Sequence, residues 1–159
     1  MSIGPDARLM ARAIELAHYA VESGSGGPFG ALLARNGEVE AEGYNRVLAD
    51  NDPTAHAEIV AIRRACDRAG SFELRGFELY TSCEPCPMCL SAAMWARVDR
   101  IVYAGTRDDA AEAGFDDRTF YAEIAAPSAD RAMPLIEFMR AEARAPFTLW
   151  NNHANRTPY

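Results

Sequence analysis

The chain contains no lysine. All 16 of its basic residues are arginine, set against 23 acidic ones, for a net charge of −7. The arginines form no basic run and no tail. A polyanion partner draws on clustered positive charge, so nucleic acid is not expected to bind. No apolar stretch approaches the roughly 20 residues that span a bilayer, so no membrane partner is expected. The first residues, Met1-Ser2-Ile3-Gly4-Pro5-Asp6, lack the basic and apolar regions of a signal peptide. Cysteine is scarce, with four in all, and Cys83, Cys86 and Cys89 are clustered. That spacing argues against a disulfide framework and for metal work in a reducing compartment, so a cytoplasmic location is expected. There are only three histidines.

The composition that remains is ordinary for a globular protein. The chain has 159 residues, 49% of them hydrophobic and 25% charged, which suits a single domain over residues 1–159. Apolar residues Leu9, Met10, Ala13, Ile14, Leu16, Ala17 and Ala20 recur at helical spacing and predict a helix over 6–21. The segment Ser23-Gly24-Ser25-Gly26-Gly27-Pro28 stops it. Strands are expected at 29–34 and 39–44, joined by an Asn36-Gly37 hairpin turn. Pro53 suits a first helical turn, so the next helix is expected to begin there, with His56 and Glu58 near its start. A strand at 77–82, a helix at 87–96 and a strand at 100–104 follow. The acidic stretch 106–117 reads as a solvated loop. Beyond it come a helix at 118–125, a last strand at 133–139 placed at an edge by Pro134, and a final helix at 145–155. Alternating helices and strands imply an α/β fold: a three-layer α/β/α sandwich around a mixed five-stranded sheet.

The chemistry is concentrated in two short pieces. His56-Ala57-Glu58 is followed by Pro85-Cys86-Pro87-Met88-Cys89. A His-x-Glu with a later Pro-Cys-x-x-Cys is the signature of the zinc-dependent base deaminases. Imidazole and thiolates suit zinc, and a catalytic site keeps three protein ligands and one open position. His56, Cys86 and Cys89 supply the three. The metal lowers the pKa of its water to about 7. Glu58, two residues from His56, is placed to move protons without ligating. A strand end followed by a helix start around Cys86 would stabilise thiolates through the positive helix end.

Other readings stand beside this one. Cys86 and Cys89 could form a redox pair, or half of a closed structural site with Cys83 as fourth ligand. In a closed site Glu58 would have no task. Cys83 fits better as an unligated thiol packed near the metal, and Cys66 as a buried free thiol within a helix. His18 and His153 read as surface or packing residues.

Four stretches carry a family resemblance: 26–31, 51–58, 80–89 and 109–117. The chain resembles the cytidine-deaminase-fold superfamily and, more narrowly, its bacterial guanine deaminases. The first three stretches are shared with tRNA adenosine and cytosine deaminases. Ala111-Glu112-Ala113-Gly114-Phe115-Asp116-Asp117 and the tail ending in Tyr159 are narrower to guanine deaminases. The resemblance implies zinc-dependent hydrolysis of guanine to xanthine and ammonia, with one zinc per subunit. It implies that Asn45 hydrogen-bonds the purine base, that Phe29, Ala57 and Trp95 line its pocket, and that Asp117 assists Glu58 with the leaving amine. It further implies a homodimer that exchanges C-terminal segments, about residues 130–159, so that Tyr159 closes the partner's site. Pro158 departs from the family pattern just before that tyrosine. Alternatives are a deaminase of ammeline, cytosine or guanosine, a tRNA adenosine deaminase, for which a basic surface is expected, and a non-catalytic zinc module.

Overall fold

Gly30 is the point where the first helix lies against the sheet. A Cβ there would overlap the Ala13 carbonyl oxygen and come within 2.7 Å of the Leu16 Cβ. The computed structural model describes residues 4–159. Helix α1 (Ala7–Glu22) starts at Asp6, whose side chain accepts the Arg8 N–H at 2.8 Å. Its buried face carries Leu9, Ala13, Leu16, Ala17 and Ala20. Strands β1 (Gly30–Arg35) and β2 (Glu38–Tyr44) form the expected hairpin. Asn36 and Gly37 both have positive φ, as a two-residue primed turn requires.

The sheet has four strands in the order β2-β1-β3-β4. Strand β3 spans Glu78–Cys83 and β4 spans Arg100–Gly105. Strand β1 is antiparallel to both neighbours, while β3 and β4 are parallel, so the sheet is mixed. Between β2 and β3 runs helix α3 (Ala57–Ala69), and between β3 and β4 runs α4 (Pro87–Ala96). Leu9 and Ala13 of α1 pack with Leu32, Ala34 and Tyr80 on one sheet face. On the other face, Ala31, Leu33 and Leu79 pack with Ala57, Ala61 and Ile62 of α3 and Ala93 of α4. Covered on both faces, β1 is buried from Gly30 to Ala34. At the sheet edge, Arg64 and Arg68 donate to the Glu42 and Glu40 carbonyls of β2, which occupies acceptors that a second strand would otherwise use.

Three sequence expectations are corrected. Helix α3 begins at Ala57, not at Pro53. A short helix α2 (Val47–Asp50) precedes it, Asn51 closes that turn in the left-handed region, and the Asp52 carboxylate accepts from the Thr54 N–H at 2.8 Å. This side-chain turn outweighs the proline signal. Residues 106–117 are not all loop. Helix α5 (Arg107–Glu112) is started by a Thr106–Asp109 capping box. Among the described residues there is no fifth strand. Segment 133–139 has no ladder partner, Pro134 has no N–H to offer, and the Ala132 and Met133 amides donate to the Glu123 carboxylate.

The chain divides into two units, the first ending at Asp117 and the second being Arg118–Tyr159. The second comprises α6 (Arg118–Ala125), a 3-10 turn at Ser128–Asp130 and α7 (Arg140–Asn152), which starts five residues before the expected 145. None of its residues is buried. Among the described residues no helix is long and apolar enough to cross a membrane.

Candidate active site

His56 is the N-cap of α3 and Cys86 is the N-cap of α4, and neither side chain caps its own helix. Both are thereby free to face each other, and Pro87 at the first position of α4 starts that helix cleanly. Gly43 sets the approach of α3. A Cβ on it would overlap the Ala57 carbonyl oxygen and lie 2.6 Å from the Ala61 nitrogen. Without one, the start of α3 rests directly on β2.

The His56 Nδ1 atom lies 3.6 Å from Cys86 Sγ and 3.5 Å from Cys89 Sγ. All three donor atoms fall within 4.8 Å of one another. Zinc bonded tetrahedrally to nitrogen at about 2.0–2.1 Å and to sulfur at about 2.3 Å separates those donors by about 3.6 Å. The trio therefore fits zinc in both chemistry and spacing. Cys83 is not part of it. Its thiol donates to the Thr106 carbonyl at 3.4 Å, and burial pushes it up to about 11. Among the described residues the cluster offers three donors, and Cys83, turned to the Thr106 carbonyl, does not supply a fourth, which speaks against the closed structural site. Cys66 is free but half-buried on α3, less enclosed than expected.

The electrostatics favour a cation. The Cys89 hydrogen bond and the facing His56 hold the Cys86 thiol down at about 4, as thiolate. Hydrogen bonding to Cys86 raises His56, while hydrogen bonding to Cys86 together with burial raises Cys89. Glu58 is 5% exposed, and burial pushes its carboxyl above the ordinary range. Its Oε1 accepts from Thr81 Oγ1 at 3.3 Å, and its Oε2 lies 3.4 Å from Cys89 Sγ. Asp117 is half-buried. Burial raises its carboxyl, Arg107 opposes that, and Cys86 adds to it.

The remaining predicted residues fall into two groups. Asn45 and Phe29 lie beside the glycine turn. Asn45 is 4% exposed, and its Oδ1 accepts the Val47 N–H at 3.1 Å, which orients the amide nitrogen away from that bond. Gly26 abuts this side chain so closely that a Cβ would overlap Asn45 Oδ1. The backbone links this group to the segment before His56, since Arg46 N donates to the Ala55 carbonyl at 2.9 Å. Ala57 is fully buried. Phe29 meets Phe115 edge to face, with ring centroids 5.0 Å apart. Trp95 on α4 is 65% exposed, and Tyr159, 69% exposed, stands beside Trp150 in the second unit. Two residues had no role in the sequence reading. Phe115 lay within a recognised stretch without a function, and the buried Thr81 is brought to Glu58 only by the pairing of β3 with its neighbours.

Comparison with known proteins agrees with this geometry. Residues 4–105 match the family model for the cytidine and deoxycytidylate deaminase zinc-binding region. The guanine deaminase of Bacillus subtilis (strain 168) is 50% identical over 148 residues, covering 93% of this chain and 95% of that one. A crystal structure of a guanine deaminase from Bacillus subtilis superposes with a TM-score of 0.94 at 47% identity, covering 98% of this chain and 99% of the other. The tRNA-specific adenosine deaminase of Agrobacterium fabrum (strain C58 / ATCC 33970) is 47% identical over 81 residues, but these span only 51% of this chain and 53% of that one. The chain belongs to the cytidine and deoxycytidylate deaminase family, and within it to the guanine deaminases.

Proposed function

We propose that this protein hydrolyses guanine to xanthine and ammonia. The observation that carries the reading is the zinc-spaced trio His56, Cys86 and Cys89 with the buried carboxylate of Glu58 against it. The cofactor is zinc, and those three residues hold it. Bound there, it supplies an acidified water, with a pKa of about 7, at its open position. Glu58 takes a proton from the attacking water as the new C–O bond forms at C2 of the base. The same carboxyl delivers that proton to the adjacent ring nitrogen, then takes the second proton from the new C2 hydroxyl and passes it to the amine, so that ammonia leaves as the C2–N bond breaks and the C2 carbonyl forms. Burial raises Glu58 in the direction a group needs to both accept and donate a proton near neutral pH. Asp117 assists at the departing amine.

Asn45 reads an edge of the base. Its oxygen is committed to Val47, which leaves the amide N–H groups as donors to a purine acceptor. Phe29 and Ala57 line the pocket, and Trp95 and Tyr159 complete it in the assembled protein. That assembly is a homodimer with exchanged C-terminal segments. Phe120, Ile124, Ile136, Phe138 and Phe147 are each at least 60% exposed in the second unit, and apolar surface of this extent wants a partner. The substrate is a free purine base, the location cytoplasmic.

An ammonia-release assay over guanine, guanosine, adenine, cytosine, cytidine and ammeline tests the reading, with xanthine identified as product. Guanine should be turned over fastest. Preference for a nucleoside or a pyrimidine would overturn it.

A further inference from the structure

We propose that Thr81 is a positioning residue for the proton-moving carboxylate: its hydroxyl holds one oxygen of Glu58, so that the other is presented to the metal corner. The two oxygens of Glu58 have different neighbours. Oε1 accepts from Thr81 Oγ1 at 3.3 Å, whereas Oε2 points toward Cys89 Sγ, a zinc ligand, at 3.4 Å. Thr81 is 1% exposed and sits in the middle of β3, paired with Ala31 on one side and Tyr103 on the other. A β-branched side chain locked in a central strand has few rotamers to visit, so its hydroxyl is a fixed donor. Glu58, in contrast, is a long side chain that loses considerable rotamer freedom on being held.

Packing alone does not account for a threonine here. Side chains alternate along β3, so Leu79, Thr81 and Cys83 share the face turned toward α3. Valine would fill the same volume and suit a buried strand at least as well. A hydroxyl buried on such a face is costly unless hydrogen-bonded, and the bond it makes is to Glu58. Its presence is explained by the carboxylate.

The inference rests on the reading of this site as a hydrolytic deaminase, and the test separates the two. Wild type, Thr81→Val and Thr81→Ser are compared as zinc-loaded proteins for xanthine formation, zinc content and Tm. Thr81→Val should lose about 10–100-fold in kcat, the usual cost of removing a supporting partner at a metal site, with KM for guanine unchanged. It should retain one zinc per chain and its Tm, and Thr81→Ser should recover most of the rate. If Thr81→Val does not fold, Thr81→Ala is measured in its place. Wild-type kcat in the hydroxyl-free variant overturns the inference, as does a loss that appears in KM or in bound zinc. A wild-type protein that releases no ammonia from guanine refutes the functional reading instead.

Discussion

Gly43 of β2 and Ala57 of α3 meet backbone to backbone, so that a methyl group on Gly43 would occupy the place of the Ala57 carbonyl oxygen. The contact involves no flexible side chain that could move aside. Ala57 directly follows the zinc ligand His56 and precedes Glu58, so this close approach positions both. Gly43→Ala should therefore destabilise the fold by about 1–3 kcal/mol, the cost of overpacking, and lower zinc affinity at the same time. Calorimetry and metal titration on the purified variant measure the two effects. An unaltered Tm would mean that the strand and helix separate freely.

Glu58 brings a buried carboxylate oxygen to 3.4 Å from the Cys89 sulfur. Glu58→Gln preserves its shape and removes its ability to carry a proton. Zinc content should stay at one per chain while kcat falls by about 10²–10⁴-fold, the range for general acid–base groups. Stopped assays for xanthine, with metal analysis on the same sample, check this. Full activity in the amide variant would remove Glu58 from the proton path.

Asp117 lies at the end of the first unit, in the segment that also carries Phe115. Its carboxyl is raised by burial and by Cys86, and lowered by Arg107. Asp117→Asn should fold and bind zinc as wild type does, yet turn guanine over at least about tenfold more slowly if the group helps the amine depart. A rate equal to wild type would make Asp117 a loop residue.

The metal trio was legible because each of its residues carries a local signal. His-x-Glu and Pro-Cys-x-x-Cys are short motifs, and a proline after Cys86 marks a helix start. Asp6, the helical spacing after it and the Asn36-Gly37 turn are local in the same way. Thr81 was not legible, since its partner is 23 residues away in sequence and only the sheet pairing joins them. Segment 133–139 misled for a related reason. Its apolar residues look like a strand, but a strand exists only when a neighbour accepts its hydrogen bonds, and no local pattern reports whether that neighbour is present. The start of α3 was misplaced because Asp52 forms a turn with Thr54 that competes with the helix for the same backbone N–H.

Cys83 and Cys89 make a pair of opposite tests. Both are buried, but only Cys89 faces His56. Cys83→Ala should retain zinc and most activity, losing only a weak sulfur hydrogen bond to Thr106. Cys89→Ala should lose zinc, since two protein ligands hold the metal poorly. In the intact protein the Cys83 thiol, pushed up to about 11, should resist alkylation at pH 8. Zinc loss on changing Cys83 would restore the four-ligand structural site.

Stability should also depend on pH through the Arg12–Glu42 pair, which ties α1 to β2. Arg12 grips the Glu42 carboxylate with two hydrogen bonds, of 2.7 and 2.9 Å, and this holds the carboxyl below its ordinary range. A group whose folded pKa is depressed stabilises the fold fully above its unfolded value, about 4.3 for glutamate. That contribution fades as the pH falls through the depressed folded value, because the native state must then be protonated too. The pair is partly exposed and screened by solvent, so it is worth about 0.5–1 kcal/mol. Glu42→Gln should accordingly be less stable than wild type at pH 7, with the gap closing toward pH 3. Paired denaturation curves at the two pH values measure it, and a gap that stays constant would show that the carboxylate charge contributes nothing across this helix–strand contact.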